Sequence, residues 1–403
     1  MKKCRLSDCC LSISDGDHLA PPKADEGIPF ITIRNFDAYN DIDFSESMSV
    51  PEDYYDSLKN IRKPQKSDIL YSVVGSFGIP VLIKNDKKFV FQRHIAILRP
   101  NPKKVDTNYL FQLMRSESFY AVADILAIGS AQRTISLTSL RRILIELPDL
   151  KVQQKIGRIL SQYDELIAIN RKKIQVLEEM AMRTYREWFV HMRFPGYETT
   201  PKENGLPQGW EYDEAQAFYK ISIGKTPPRG ESQWFSTPGD GVPWLSISDM
   251  SNTIYTLTTS ETLTEDAIQY NRIIMVPKDT ILLSFKLTVG RVCIAPFDIC
   301  TNEAIAHFQL QDKELKEYTY CFLKCFNYQS LGSTSSLAIA VNSKIIKRMP
   351  FVMPTMSILK QFHKISKPLF EDILYCQQQI DNLQKMRDKL LPQLMSGKLE
   401  IKA

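Results

Sequence analysis

The hydrophobic positions of the chain predict two long amphipathic helices that repeat each other. The first covers residues 148 to about 192 and the second residues 354 to about 396, and the repeat between them has no gap. Ile174 aligns with Ile380, for example. A period near half the chain length indicates a duplicated unit, in which a globular domain and a long helix occur twice.

Each helix carries an apolar stripe whose members are mostly three or four residues apart. In the second helix the stripe contains Leu369, Ile373, Cys376, Ile380, Leu383, Met386, Leu390 and Leu394. In the first it contains Ile156, Ile159, Tyr163, Leu166, Ile174, Leu177 and Met180, with Asn170 and Lys173 interrupting it. Such stripes favour a helical partner, so we expect the two helices to pack antiparallel on each other. The alternative is that each helix is buried on its own domain.

A proline predicts a break near the start of the second helix. Pro368 is tolerated in the first turn of a helix, which it would occupy if Ser366 were the N-cap. We therefore expect residues 355–365 to form a separate short helix.

The globular parts repeat each other more weakly. Residues 28–33 and 242–247 both alternate apolar and polar positions after a proline, as half-buried strands do. Further matches join Lys66–Leu70 to Lys278–Leu282, Ile95–Ala96 to Ile305–Ala306, Gly78 to Gly290, and Gly129–Ser130 to Gly332–Ser333. Helical segments are expected near 107–116 and 314–326.

These patterns predict an α+β fold rather than an alternating βαβ fold. The expected domains are 1–147 and 196–350, each mixing strands and helices, with helical spacers at 148–195 and 351–403. A helix of about 33 residues at about 1.5 Å per residue spans roughly 50 Å. We therefore expect the two duplicated domains to be separated by two long antiparallel helices, as a pseudo-two-fold dumbbell.

The composition of the 403 residues is that of an ordinary globular protein, with 43% hydrophobic residues and a mild net charge of +5. This charge permits a nucleic-acid partner without arguing for one. No Cys-x-x-Cys pair occurs among the eight cysteines, so we expect buried reduced thiols and a cytoplasmic location. No signal peptide or membrane-spanning segment is expected.

Catalytic signatures are absent from the sequence. It has neither a Walker A motif nor a G-x-G-x-x-G motif that opens a helix. The segment 226–229 differs from the N-P-P-[FY] motif of adenine methyltransferases in lacking its amide and its aromatic residue. We therefore expect a binding or scaffolding protein with no cofactor, no metal and no catalytic residue.

Several motifs occur in a fixed order along the chain. The first helix opens with Gln153–Gln154 and continues with Asp164–Ile167, and the second ends in Lys389–Leu399. The second globular part contains Gly224–Pro228 and Thr301–Ala306. In this order the motifs resemble those of the specificity subunits of type I restriction–modification systems, including that family's G-x-T-P and T-N-Q-x-x-A stretches. The chain has Glu303 where glutamine is usual in the family, and residues 15–18 in the first part depart from G-x-T-P-P.

The resemblance implies that each globular domain is a target recognition domain for one half of a bipartite, asymmetric site in double-stranded DNA. It also implies that the helices bind DNA-methyltransferase subunits, two in number, and that restriction and motor subunits join the complex. This chain would direct adenine methylation and restriction without doing chemistry itself.

Side chains that bind bases and phosphates are mostly Arg, Lys, Asn, Gln and Ser, and we expect them in the loops between strands. The candidates for DNA binding are Lys23, Arg34, Ser76, Gln92, Arg93 and Arg133 in the first domain, and Lys225, Arg229, Arg272, Lys286, Arg291 and Asn302 in the second. The candidates for the partner interface are Ile174, Leu177, Met180, Ile380, Leu383 and Leu390.

Two alternatives remain from the sequence. One is a coiled-coil scaffold that does not bind nucleic acid. The other is the recognition part of a methyltransferase–nuclease that has no motor subunit.

Overall fold

The computed structural model describes residues 2–18, 20–130, 132–237, 239–251, 253–331 and 341–399. The chain divides into two units. Unit 1 comprises residues 1–166 and 383–403, and unit 2 comprises residues 167–382.

The described residues of unit 1 form nine strands and four short helices before the first long helix. They are β1 (Lys2–Arg5), β2 (Cys10–Asp15), β3 (Ile28–Ile31), β4 (Met48–Val50), α1 (Glu52–Ser57), β5 (Ile69–Ser72), β6 (Pro80–Leu82), β7 (Val90–Phe91), β8 (Ile95–Pro100), α2 (Thr107–Arg115), α3 (Glu117–Leu126), α4 (Leu137–Arg142) and β9 (Leu144–Leu147). The long helix α5 (Leu150–Tyr185) follows, and its residues from 167 onward belong to unit 2. The main sheet has the order β2-β8-β5-β6, and a smaller sheet has the order β4-β3-β7.

Unit 2 repeats this arrangement. Its elements are β10 (Lys202–Glu203), β11 (Leu206–Pro207), β12 (Glu211–Glu214), α6 (Ala215–Phe218), β13 (Lys220–Ile223), β14 (Phe235–Ser236), β15 (Val242–Leu245), β16 (Glu261–Leu263), α7 (Glu265–Asn271), β17 (Ile281–Ser284), β18 (Val292–Ile294), β19 (Cys300–Thr301), β20 (Ile305–Gln309), α8 (Lys316–Cys325), α9 (Ser343–Lys347) and β21 (Pro350–Met353). The second long helix, α10 (Met356–Met395), follows, and its residues from 383 onward belong to unit 1.

The two units share strand order as well as content. The main sheet of unit 2 has the order β13-β20-β17-β18, and its smaller sheet has the order β14-β16-β15-β19. In both smaller sheets a parallel pair occurs, β3 with β7 in unit 1 and β15 with β19 in unit 2. The predicted α+β class and the predicted duplication are therefore confirmed, including the helices near 107–116 and 314–326, which are α2 and α8.

The paired glycines mark the same turn in each unit. Gly78 has φ +92° and Gly290 has φ +93°, in the left-handed region that favours glycine. The amide of Gly78 donates to the carbonyl of Ser72 at 2.9 Å, and the amide of Gly290 donates to that of Ser284 at 3.0 Å. Of the other matched pair, Gly129–Ser130 precedes α4, whereas Gly332–Ser333 lies outside the described residues.

The long helices contribute to the cores of both units. In unit 1, Ile156 and Leu160 of α5 and Leu391 and Leu394 of α10 are buried in one apolar cluster. Asp164 of this part of α5 lies 2.7 Å from the guanidinium of Arg387. Residues early in α5 thus meet residues late in α10, so the two helices run antiparallel within unit 1.

Unit 2 contains the remaining parts of α5 and α10, which are also antiparallel. Lys173 lies 2.9 Å from the carboxylate of Asp372. Further along α5's direction, the ring of Trp188 lies 6.0 Å from that of Phe362, which is earlier in α10. The predicted packing of the two helices on each other is therefore found within each unit. The same parts of the helices also pack against the apolar core of that unit.

The predicted break before Pro368 is wrong, because α10 is continuous from Met356 to Met395. Ser366 does not cap a helix; its hydroxyl donates to the carbonyl of Phe362 at 2.7 Å. Proline inside a helix costs about 3 kcal/mol. Burial of each large apolar side chain contributes about 1.5–3 kcal/mol, and Phe362, Phe370 and Ile373 are fully buried along the stripe that a continuous helix presents. Pro368 itself is exposed.

The first long helix also ends differently from the prediction. Its α-helical part stops at Tyr185, and residues Arg186–Val190 form a π-helical turn that buries Phe189. Phe189 packs edge-on against Tyr318 and Phe362, with ring centroids 4.7 and 5.1 Å away. The wider turn brings this aromatic side chain into the core of unit 2.

The cysteines are free thiols. Cys9, Cys293, Cys300, Cys321 and Cys376 are buried, as expected, and Cys4 and Cys10 are partly buried, but Cys325 is exposed. None of the helices in the described parts of the chain combines the length and the apolar character of a membrane-spanning segment.

Candidate nucleic-acid interface

In unit 1, four of the six predicted residues gather at one end of the main sheet. The amide of Val73, just after β5, donates to the carbonyl of His94, which precedes β8, at 2.9 Å. This bond places the turn that contains Ser76 beside the turn that contains Gln92 and Arg93. The amide of Gly75 donates to the carbonyl of Arg133 at 2.9 Å, which adds Arg133 to the same end.

These side chains differ in their availability. Ser76 and Arg93 are exposed. Gln92 is half-buried, and its backbone forms a bridge with Asp17. Arg133 is bound to Asp124, with its Nη2 atom 2.6 Å from the carboxylate. Arg133 can contact DNA only by sharing or leaving that carboxylate.

The other two candidates of unit 1 lie on its smaller sheet. Lys23 is exposed in the loop just before Ala24, whose amide donates to the carbonyl of Ser49 in β4. Arg34 is exposed in a short 3-10 turn that follows β3. Because β3 and β7 are parallel, their carboxyl ends lie at the same edge of this sheet. Arg34, which follows β3, and Gln92, which follows β7, therefore both lie at that edge.

In unit 2 the corresponding end of the main sheet holds part of the predicted set. The amide of Lys225, just after β13, donates to the carbonyl of Thr301 at 2.9 Å, and the amide of Phe285 donates to that of Ala304 at 2.9 Å. Lys225, Lys286 and Asn302 are therefore neighbours in the turns at this end.

Close backbone packing at this end requires glycine in both units. A Cβ atom on Gly16 would lie 2.1 Å from the carbonyl oxygen of Phe91, and one on Gly224 would lie 2.2 Å from that of Asn302. Neither distance is sterically possible. The residues that follow, Asp17 and Lys225, are therefore held at equivalent positions.

Two arginines of unit 2 already have partners. Arg229 lies 2.6 Å from the carboxylate of Glu261, and its guanidinium carbon is 4.8 Å from the ring centroid of Trp244. Arg291, just before β18, donates to the carbonyl of Ile247, two residues after β15, at 2.8 Å, so it connects these two segments. These bonds give both arginines a structural role in addition to any contact with DNA.

The remaining candidates of unit 2 are one turn-forming amide and several cations. The side chain of Asn302 accepts the amide of Ala304 at 3.1 Å, which makes it a turn-forming residue. Lys286 and Arg272 are exposed, and Arg272 is in the left-handed conformation with φ +51°. The ammonium of Lys225 donates to the carbonyl of Asn271 at 2.5 Å, which places Arg272 near Lys225.

One acidic residue lies among these cations and was not among the predicted site residues. Glu303 accepts a hydrogen bond from the hydroxyl of Thr226. This bond, together with the positive charges of Lys286 and Arg229, holds the pKa of Glu303 below its usual range despite some desolvation. The sequence did indicate this residue, because the family usually has glutamine at this position of the motif 301–306.

A second missed group lies at the equivalent end of unit 1. The guanidinium of Arg62 lies 2.8 Å from the carboxylate of Asp17, which also accepts the hydroxyl of Tyr54 at 3.1 Å. Arg62 and Tyr54 lie in a segment without regular sequence pattern, so no periodicity identified them.

A buried histidine lies behind the interface of unit 2. His307 of β20 is fully buried, and its two ring nitrogens are hydrogen-bonded to the hydroxyls of Ser222 at 2.9 Å and Thr301 at 2.7 Å. Desolvation lowers its pKa to about 4 from 6.5. The neutral ring therefore joins β13, β19 and β20 at the place from which Asn302 and Glu303 project.

The predicted partner-interface residues divide by burial. Ile380 is buried, and Ile174 and Leu177 pack against the core of unit 2. Leu390 packs against the core of unit 1. Leu383 is half-buried, and Met180 is 50% exposed.

The comparison with protein families identifies this arrangement. The model of the type I restriction modification DNA specificity domain matches residues 10–179 and again residues 207–385. The chain belongs to this family. It is a specificity subunit of a type I restriction–modification system, and the two matches cover the two copies of the duplicated frame.

Curated relatives extend over most of this specificity subunit. The type I restriction enzyme HindI specificity subunit of Haemophilus influenzae is 24% identical over 404 aligned positions, covering 83% of this chain and 87% of the relative. The type I restriction enzyme MjaIX specificity subunit of Methanocaldococcus jannaschii is 25% identical over 311 positions, covering 74% of this chain and 70% of the relative.

A solved structure has the same fold. The S subunit of the type I restriction–modification system from M. genitalium superposes with a TM-score of 0.56 at 16% identity, covering 100% of this chain and 96% of that one.

Within the described residues, no group of His, Cys, Asp and Glu side chains is arranged to hold a metal ion.

Proposed function

We propose that this specificity subunit recognises a bipartite, asymmetric site in double-stranded DNA and directs adenine methylation and restriction by partner subunits in the cytoplasm. The recognition domains would be residues 1–147 and 196–350. The observation that carries the proposal is the duplicated interface: the same end of the same four-stranded sheet presents cationic and polar turns in both units. Such turns supply phosphate and base contacts.

The asymmetry follows from differences at equivalent positions. Gln92 of unit 1 corresponds to Asn302 of unit 2, and Asp17 corresponds to Lys225. Because base edges are read by side chains rather than by the shared backbone, two units with different side chains select different half-sites.

The chain would act through its partners and catalyse nothing itself, since its sequence has no catalytic or cofactor-binding motif. We propose two DNA-methyltransferase subunits, with restriction and motor subunits added for cleavage. A surface for the methyltransferase is offered by three exposed apolar residues of α5. Ile169, Val176 and Met180 are 63%, 42% and 50% exposed, and their spacing places them on one helix face.

The experiment compares adenine methylation across the host genome with and without this chain, and measures binding of the purified complex to duplex DNA. We expect one split motif to lose methylation when the chain is deleted. A scaffold without nucleic-acid binding would leave every motif unchanged and would not bind duplex even at low salt.

A further inference from the structure

The turn before β8 in unit 1 and the turn before β20 in unit 2 have the same backbone. The amide of Gln92 donates to the carbonyl of Ile31 at 3.0 Å, and the amide of Asn302 donates to that of Leu245 at 3.0 Å. In unit 1 the amide of Ile95 donates to the carbonyl of Gln92 at 3.1 Å and closes the turn. In unit 2 the amide of Ile305 donates to the carbonyl of Asn302 at 3.3 Å in the same way. The residue that follows Gln92 and the residue that follows Asn302 therefore occupy equivalent positions.

These two residues have opposite charges. Arg93 is exposed and forms no ion pair with any residue that the structure describes. Glu303 is exposed as well, and its carboxylate is held by Thr226. The same turn position therefore holds a cation, Arg93, in unit 1 and an anion, Glu303, in unit 2.

An anion at this place is unfavourable for phosphate binding, yet the surroundings favour its charged form. The Thr226 hydroxyl donates to it, and Lys286 and Arg229 are close enough to lower its pKa. These groups would keep the carboxylate ionised beside DNA. A carboxylate kept in this form is a strong hydrogen-bond acceptor that donates nothing.

We propose that this turn position determines specificity: Glu303 accepts a hydrogen bond from the amino group of a cytosine in the half-site of unit 2, and Arg93 donates to a guanine in the half-site of unit 1. The inference rests on the proposed function. In the major groove, cytosine presents the N4 donor without an adjacent acceptor of its own, whereas guanine presents two acceptors, N7 and O6. Thymine O4 and guanine O6 would repel a carboxylate.

A merely structural role for Glu303 makes a different prediction. If the carboxylate only holds Thr226 and the neighbouring cations, its removal should weaken binding to all sequences alike. A reading role changes the base preferred at one position and leaves the others alone.

The test uses the intact complex, with adenine methylation mapped over the host genome for the wild type and the variants Glu303→Gln, Glu303→Arg and Arg93→Gln. Asp312→Asn is the control, since it changes an exposed carboxylate beyond the other end of β20. Binding of the purified complexes to duplexes with each base at the variable position gives a second readout.

We expect the motif to contain a cytosine in the half-site of unit 2. Glu303→Gln should reduce the preference for it by roughly tenfold or more, toward adenine, and Glu303→Arg should shift it toward guanine. Arg93→Gln should relax a guanine in the other half only, and Asp312→Asn should change nothing.

Two results overturn the inference in distinguishable ways. An unchanged motif and unchanged base preference for both Glu303 variants would mean that the position does not read DNA, while the proposed function stands. Absence of any motif that depends on the wild-type chain would remove the proposed function and this inference with it.

Discussion

The buried ionic cluster of unit 1 gives the sharpest test of how the two long helices are joined. Asp164 of α5 accepts hydrogen bonds from Arg387 of α10 at 2.7 Å and from Arg115 of α2 at 3.0 Å. The amide of Gln112 donates to the same carboxylate at 2.5 Å. We predict that Asp164→Asn destabilises unit 1 strongly, because one neutralised side chain removes the counter-ion of two cations.

The magnitude follows from burial. The side chains of Arg115 and Arg387 are only 10% and 7% exposed. Desolvation lowers the pKa of Arg115, and the charge of Arg387 lowers it further, whereas Asp164 opposes both. Breaking a buried pair by removing one partner costs about 3–5 kcal/mol. Because Arg387 keeps Asp388 at 2.8 Å, we expect the lower end, about 3 kcal/mol.

A matched control exists between the same two helices in unit 2. Lys173 and Asp372 lie 2.9 Å apart, but their side chains are 47% and 53% exposed. Asp372→Asn should therefore destabilise the chain only slightly, and the loss should shrink further in salt.

The assay is urea denaturation followed by circular dichroism, at about 0.1 M and about 0.5 M NaCl, an interval that shortens the screening length. We expect a large, salt-insensitive loss for Asp164→Asn and a small, salt-sensitive loss for Asp372→Asn. Equal losses of stability for the two variants would mean that burial does not distinguish the two ion pairs.

Three further predictions concern pH, DNA affinity and assembly. Because the pKa of His307 is about 4 when folded and 6.5 ordinarily, stability is full above pH 6.5 and is lost as pH falls toward 4. The loss should be about 2 kcal/mol at pH 5, and His307→Gln should remove this pH dependence in urea denaturation. Lys286→Ala should flatten the log–log salt dependence of duplex binding by about one unit, whereas Lys313→Ala, beyond the other end of β20, should not. Ile380→Asp should lower the unfolding midpoint because Ile380 is buried, whereas Met180→Asp should keep the midpoint and weaken co-elution of the methyltransferase in gel filtration.

The periodic parts of the fold could be predicted from the sequence, because burial of one helix face or one strand face repeats at a fixed interval. The stripe through Ile373 and Ile380 and the turns at Gly78 and Gly290 are examples. The continuity of α10 through Pro368 was not predictable locally, since it depends on aromatic packing with distant residues.

The sequence predicted which loops form the candidate site, but it did not predict which side chains contact each other there. Sequence order indicated the turns that contain Arg93 and Lys225, and the structure places them at equivalent sheet ends. The pairing of Arg229 with Glu261 joins residues 32 positions apart, and that of Arg291 with Ile247 joins residues 44 apart. Such contacts are set by tertiary packing, which no local pattern encodes.

If each of two separate domains reads one half of one DNA site, exchanging one domain should change only one half of that site. Residues 196–350 would be replaced by the matching domain of another specificity subunit, and adenine methylation would be mapped over the genome of a host that carries the methyltransferase. We expect one half of the methylated motif to change, while the other half and the gap between them stay the same. A change in both halves together would show instead that the two domains build one composite surface.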